Sequence, residues 1–149
     1  MSTAPYRCLL RVRYGDCDAQ NVVFNARYGD YIDVAVTEFI RALGFAEEFV
    51  QGGLDYQLVR QSIEWRAPAR FDEIIAADIH VSHIGTTSFR LRTDFLRSSD
   101  DTALATAETI YVCVTAELAK REIPEAFRSA LDKGAPGRVH DLAGTNASR

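Results

Sequence analysis

The chain lacks any long apolar run. Nowhere in its 149 residues does a stretch approach the roughly 18 consecutive apolar residues that a membrane-spanning helix needs, so no transmembrane segment and no membrane partner are expected. The N-terminus, Met-Ser-Thr-Ala-Pro-Tyr-Arg, lacks the apolar core of a signal peptide. Cysteine is scarce: Cys8, Cys17 and Cys113 cannot form an even disulfide framework, and no metal-ligand spacing occurs. Reduced thiols in a cytoplasmic protein, with no metal, are therefore expected. An excess of basic residues is missing too. The net charge is −4 and the pI about 5.4, which gives no global attraction to nucleic acid or an anionic membrane, while local basic residues remain able to hold a phosphorylated ligand. There is no Ser-His-Asp pattern, no Gly-x-Ser-x-Gly elbow, no phosphate loop and no internal repeat. No histidine precedes His80, and His80 and His83, three apart on one strand, are expected on opposite faces, which argues against a joint metal site.

What is present organises as one domain. Hydrophobic residues make up 47% of the chain, enough at this length for a real core. Residues 6–14 end in strand-like alternation, with Leu10, Val12 and Tyr14 set against Arg11 and Arg13. Tyr28, Tyr31, Ile32, Ala35, Val36, Phe39, Ile40 and Leu43 then follow helical spacing without a break. Asn25 is the expected N-cap of that helix and Gly44 its C′ stop. A short helical turn over Ala46–Val50 precedes strands over 55–67, 73–84, 87–97 and 103–116, and Pro124 opens a last short helix through Leu131. One long helix followed by antiparallel strands predicts an α+β fold with the helix packed on a sheet. The domain covers residues 1–132, and the Gly-, Ala- and Ser-rich residues 133–149 are expected to be a flexible tail.

Asp18 to Tyr28 carry the most chemistry. A carboxylate stands ten residues ahead of the aromatic that opens the long helix, an arrangement that brings it close to the positive end of the helix dipole. That suits attack on an acyl carbonyl whose oxygen must hold negative charge. The run Tyr14-Gly15-Asp16-Cys17-Asp18-Ala19, then Val22-Val23-Phe24-Asn25 and Tyr28, resembles the hotdog-fold acyl-CoA thioesterases of the 4-hydroxybenzoyl-CoA thioesterase type. Ala67-Pro68-Ala69-Arg70-Phe71-Asp72 and Gly85-Thr86-Thr87-Ser88-Phe89 extend the resemblance over most of residues 6–116. Where the family usually has Gly in the loop this chain has Asn21, and where it commonly has His or Tyr near the helix start this chain has Asn25.

The resemblance implies a curved antiparallel sheet wrapped around the helix. It also implies a homodimer or homotetramer with sites at the subunit interface. Asp18 becomes the catalytic carboxylate, attacking the thioester directly or deprotonating water. Asn25 is a further catalytic candidate, as cap, carbonyl donor or water-orienting group. Free N–H groups near Phe24 to Ala26 would receive the carbonyl oxygen. Asp16 is expected to be structural, and Glu38, beside Arg41, is the alternative carboxylate. Tyr28, Gln57 and Val59 are candidates to line the substrate site, with Gln61 on the same strand face. Gly85, Thr86, Thr87 and Ser88, with Arg90 and Arg92, are candidates to receive coenzyme A phosphates. No cofactor is implied beyond the coenzyme A carried by the substrate. The expected activity is hydrolysis of an acyl-CoA to free acid and coenzyme A. A non-catalytic acyl-CoA-binding module is the alternative from a different class, and a hotdog hydratase or dehydratase is a third.

Overall fold

The computed structural model describes residues 4–145. In chain order these form β1 (Tyr6–Arg11), a 3-10 turn (Tyr14–Asp16), α1 (Arg27–Ala42), α2 (Ala46–Gln51), β2 (Asp55–Trp65), β3 (Ile74–Ile84), β4 (Ser88–Arg97), β5 (Ala103–Val114), α3 (Glu125–Lys133) and β6 (Val139–Asp141). One six-stranded sheet has the order β2-β5-β4-β3-β1-β6, antiparallel except for β6 beside β1. The long helix packs on this sheet, the α+β arrangement expected from the sequence.

α1 is held by its apolar stripe. Tyr28, Tyr31, Ile32, Ala35, Val36, Phe39 and Ile40 are buried in the core shared with the sheet. Its C-terminus closes as a Schellman motif: Gly44 N–H donates to Arg41 O and Phe45 N–H to Ile40 O, with Gly44 at φ 91°. The N-terminus corrects the expected cap. Ala26, already helical, occupies the N-cap position, and Asn25 stands one residue outside it with no capping hydrogen bond. The carbonyls of Phe24, Asn25 and Ala26 accept from Arg27, Tyr28 and Gly29 in tight turns, so no side-chain acceptor is needed there.

The inner face of β4 carries Phe89, Leu91, Thr93 and Phe95, all fully buried, and the opposing inner face of β5 carries Ala105, Ala107, Thr109, Tyr111 and Cys113. Two bulges change faces that simple alternation had assigned. Val59 is skipped between the pairs Leu58–Tyr111 and Arg60–Ile110, so Gln57 (opposite Val112) points outward while Gln61 (opposite Thr109) points toward α1. Gln57 and Gln61 therefore do not share a face. Ser82 is skipped in the same way, and His80 and His83 pair with Arg92 and Arg90 on one outer face rather than on opposite faces.

Two further segments differ from expectation. β1 stops at Arg11. Val12 stays buried, and Tyr14 starts the 3-10 turn with its ring 82% exposed. Within the segment read as a flexible tail, β6 pairs in parallel with β1, Arg7 opposite Val139 and Leu9 opposite Asp141. Arg7 N–H donates to Arg138 O and Leu142 N–H to Leu9 O. Small and polar composition suggested fraying, but an open edge of β1 supplies backbone partners that composition does not reveal. Residues 146–149 of that segment lie outside the described residues.

Candidate active site

Asp18 sits at the base of a short hairpin that follows the 3-10 turn. Asp18 N–H donates to Val22 O and Asn21 N–H to Asp18 O, and Asn21 has φ 64°. This is a turn closed by a residue in the left-handed region, where Gly is the default and Asn is among the few tolerated substitutes. The replacement of the family's Gly by Asn21 thus keeps the backbone geometry. The Asp18 carboxylate is oriented by its own turn: Oδ1 accepts from Gln20 N–H at 2.8 Å, and Oδ2 has no partner among the described residues. The hairpin is fixed to the loop before β3 by a Val22–Arg70 bridge and by Val23 N–H donating to Ala69 O.

Asp16 anchors this loop. It is 3% exposed. Its Oδ2 accepts from Tyr31 Oη at 2.8 Å and from Arg13 N–H at 3.0 Å, while its carbonyl accepts from Phe24 N–H. Burial, and then the bond to Asp16, push the Tyr31 phenol far above its usual range, so it remains a donor. Asp16 thus ties the loop to α1, the structural role expected for it. Burial, followed by the carboxylates of Asp16 and Asp18, raises the Cys17 thiol above its usual range.

Two cavities flank the hairpin. One, of about 440 Å³, is lined by Tyr14, Cys17, Asp18, Asn21, Arg70 and Phe71. The other, of about 300 Å³, is lined by Val22, Asn25, Tyr28, Trp65 and Pro68, among others. Tyr28 is buried there, its ring edge-on to Tyr31, Trp65 and Phe95. The amide of Phe24 is already taken by Asp16 O. Those of Asn25 and Ala26 have no partner among the described residues, and they stand at the positive end of α1.

The remaining candidates lie elsewhere. Gln57 and Val59 are exposed on the edge strand β2 and line neither cavity. The Gly85–Ser88 turn also lines neither. Arg128 donates to Gly85 O at 2.7 Å and to Thr86 O at 3.3 Å, tying the turn to α3. Arg92 pairs with Asp94 at 3.2 Å. Glu38 pairs with Arg41 at 3.2 Å and approaches His140 at 3.8 Å, on the side of the molecule where β6 joins. Among the described residues no group of three or more His, Cys, Asp or Glu could hold a metal ion. Tyr14, Arg70, Phe71 and Trp65 line the cavities without having been singled out as site residues. The motif over residues 67–72 marked their loop, but the side-chain roles depend on packing between segments far apart in sequence.

A mostly antiparallel sheet packed on one long helix, with a carboxylate hairpin leading into that helix, defines the hotdog thioesterase class. Residues 12–131 match the model of the thioesterase-like superfamily. Over 129 residues the chain is 30% identical to the acyl-CoA thioester hydrolase YbgC of Escherichia coli O6:H1, covering 85% of this chain and 96% of that protein. It is 26% identical over 132 residues to the 1,4-dihydroxy-2-naphthoyl-CoA hydrolase of Synechococcus elongatus, covering 86% and 96% respectively. The solved structure of a gentisyl-coenzyme A thioesterase is similar at a TM-score of 0.76 and 25% identity, covering 83% of this chain and 98% of that one. The chain belongs to the thioesterase-like superfamily.

Proposed function

We propose that this chain, a thioester hydrolase of the acyl-CoA class, cleaves its substrate to a free carboxylic acid and coenzyme A at the Asp18 hairpin. The thioester lies between the two cavities. Asp18 attacks the carbonyl carbon, the C–S bond breaks, and the thiolate leaves with coenzyme A; water then cleaves the resulting anhydride. In the equivalent general-base course, Asp18 takes the proton of the attacking water. The unpartnered amides of Asn25 and Ala26 receive the carbonyl oxygen as it becomes negative, and the helix dipole adds to their effect. Because these donors are main-chain, the Asn25 side chain is a minor contributor. The observation that carries this proposal is the Asp18 carboxylate itself, turned by its own Asx bond and free on Oδ2 in a cavity beside the helix terminus.

The substrate is the source of coenzyme A, and no further cofactor takes part. Gln57, Val59 and the Gly85–Ser88 turn line neither cavity of a single copy, so their contact with substrate requires a second copy. In this reading a second copy brings them to the substrate, in a homodimer or homotetramer. No helix among the described residues is long and apolar enough to cross a membrane, and three free cysteines suit a reducing cytoplasm.

Thiol release from a panel of acyl-CoAs tests the assignment. Asp18→Asn should lower turnover at least about 100-fold with the circular dichroism spectrum unchanged. Near-wild-type turnover in that variant would remove Asp18 from the mechanism. Tight acyl-CoA binding with no turnover in the wild type would instead mark a binding module.

A further inference from the structure

The Asp18 cavity contains a positive charge with no internal use. Arg70 lines it, and the two carboxylates nearest to Arg70 in sequence are already engaged. Asp72 pairs with Arg11 at 3.2 Å. Glu73 pairs with Arg97 at 2.9 Å and also accepts the backbone N–H of Arg70 at 2.7 Å. The Arg70 guanidinium itself has no ion pair and no hydrogen bond among the described residues. Its backbone is fixed twice, by the bond to Glu73 and by the bridge to Val22, so the side chain projects from a rigid base. Beside it, Tyr14 and Phe71 meet edge to face with ring centroids 5.9 Å apart, and they remain 82% and 55% exposed. Exposed aromatic rings packed together at a cavity wall offer apolar surface to a ligand.

Resting on the assignment of Asp18 as the reacting carboxylate, we propose that Arg70 is a specificity-determining residue that selects acyl groups ending in a carboxylate. The methylene chain of such a group would lie against Tyr14 and Phe71. Its terminal carboxylate would accept the planar, two-pronged donor set of Arg70. The free guanidinium also offsets the repulsion that Asp18 exerts on a second anion in the same cavity. Coenzyme A supplies anions as well. Its pyrophosphate, however, is separated from the thioester sulfur by the whole pantetheine arm, whereas Arg70 shares one cavity with Asp18.

The test compares glutaryl and pentanoyl thioesters, which have equal carbon number, each on coenzyme A and on N-acetylcysteamine, a thiol without phosphate. The wild type should prefer glutaryl with both thiols. Arg70→Gln should reduce the glutaryl-to-pentanoyl ratio of kcat/KM by about tenfold to a hundredfold, chiefly through KM. Arg70→Lys should restore part of that preference. No glutaryl preference in the wild type would overturn the proposal. A loss in Arg70→Gln that is equal for both acyl groups and confined to the coenzyme A esters would also overturn it, and would assign Arg70 to phosphate. Wild-type turnover of none of the four thioesters would overturn this proposal alone, because the hydrolase assignment is tested by the wider acyl-CoA panel. Turnover that survives Asp18→Asn would overturn the role of Asp18 while leaving the Arg70 ratio to be read separately.

Discussion

Asn21 and Tyr31 do at single positions what the hairpin needs as a whole. Asn21 holds φ 64°, which a β-branched residue adopts only with strain. Asn21→Val should therefore cost about 1–2 kcal/mol and should lower turnover further by displacing the Asp18 turn, while Asn21→Gly should keep both stability and turnover close to the parent. Urea denaturation and thiol release measure the two effects. Tyr31→Phe removes the Oη that donates to buried Asp16, leaving a carboxylate with one partner fewer. The expected loss is about 1–3 kcal/mol, read from the denaturation midpoint. At this scale the sequence was informative about the turn that carries Asp18, because an Asp on a turn ahead of a helix is a local pattern, while the catalytic role given to Asp18 came from the family resemblance and stands as a proposal. It was misleading about Asn25, because the carbonyls of Phe24, Asn25 and Ala26 close the first turn of α1 without a side-chain cap.

Strands and helices were legible as far as their residues alternate regularly. The stripe of α1 and the inner face of β4 lie where periodicity put them. Faces were lost at the bulges, because one extra residue in β2 or β3 reverses every side chain beyond it, and no composition signal marks Val59 or Ser82. The pairing of β6 with β1 was invisible for a similar reason: three residues that complete another strand's edge carry little pattern of their own. The joint of β1 with β3 gives an element-scale prediction. Arg7 holds Asp78 with two bonds, Nε to Oδ1 at 2.7 Å and an Nη to Oδ2 at 2.9 Å, and Asp78 is 6% exposed. Asp78→Ala should destabilise by about 2 kcal/mol, less than the about 3–5 kcal/mol of a fully buried pair, since partial exposure of Arg7 screens the interaction. Hydrogen exchange should accelerate in β1 and β6 before it does in β4 and β5. Uniform acceleration across the sheet would contradict a local role for the pair.

The whole molecule is tuned against alkali. Burial pushes the phenols of Tyr28 and Tyr111 and the thiol of Cys8 up to about 12, and the phenols of Tyr6, Tyr31 and Tyr56 also rise, burial being the main cause in each. Groups raised in this way keep their protons in the folded state after the unfolded chain has lost them. Their contribution is therefore complete below the unfolded values, near pH 9 for the thiol and near pH 10 for the phenols, and is lost as pH climbs beyond them. Each protonated tyrosine costs about 1.4 kcal/mol of stability per pH unit in that window, and total stability is about 5–15 kcal/mol. The fold should be steady from pH 7 to about 9 and collapse between about 10 and 12, with the phenolate absorbance of these five tyrosines rising in one cooperative step together with loss of helical signal. A graded rise with the fold intact would contradict the burial of these rings. At the same scale, sedimentation at micromolar concentration should give a dimer or larger. A stable monomer that hydrolyses acyl-CoA at full rate would show that one copy holds the complete site.

The joint between β1 and β6 also sets how the chain resists a pull. The two strands run parallel, with Arg7 facing Val139 and Leu9 facing Asp141. A load applied through handles near residues 4 and 145 would draw them along their own axes in opposite directions. Backbone bonds such as Arg7 N–H to Arg138 O and Leu142 N–H to Leu9 O would then be stretched together in shear instead of parting one after another. In a force spectrometer the first rupture should be a single sharp event, and it should weaken when Leu142, whose N–H donates to Leu9 O, is replaced by proline, which has no N–H to give.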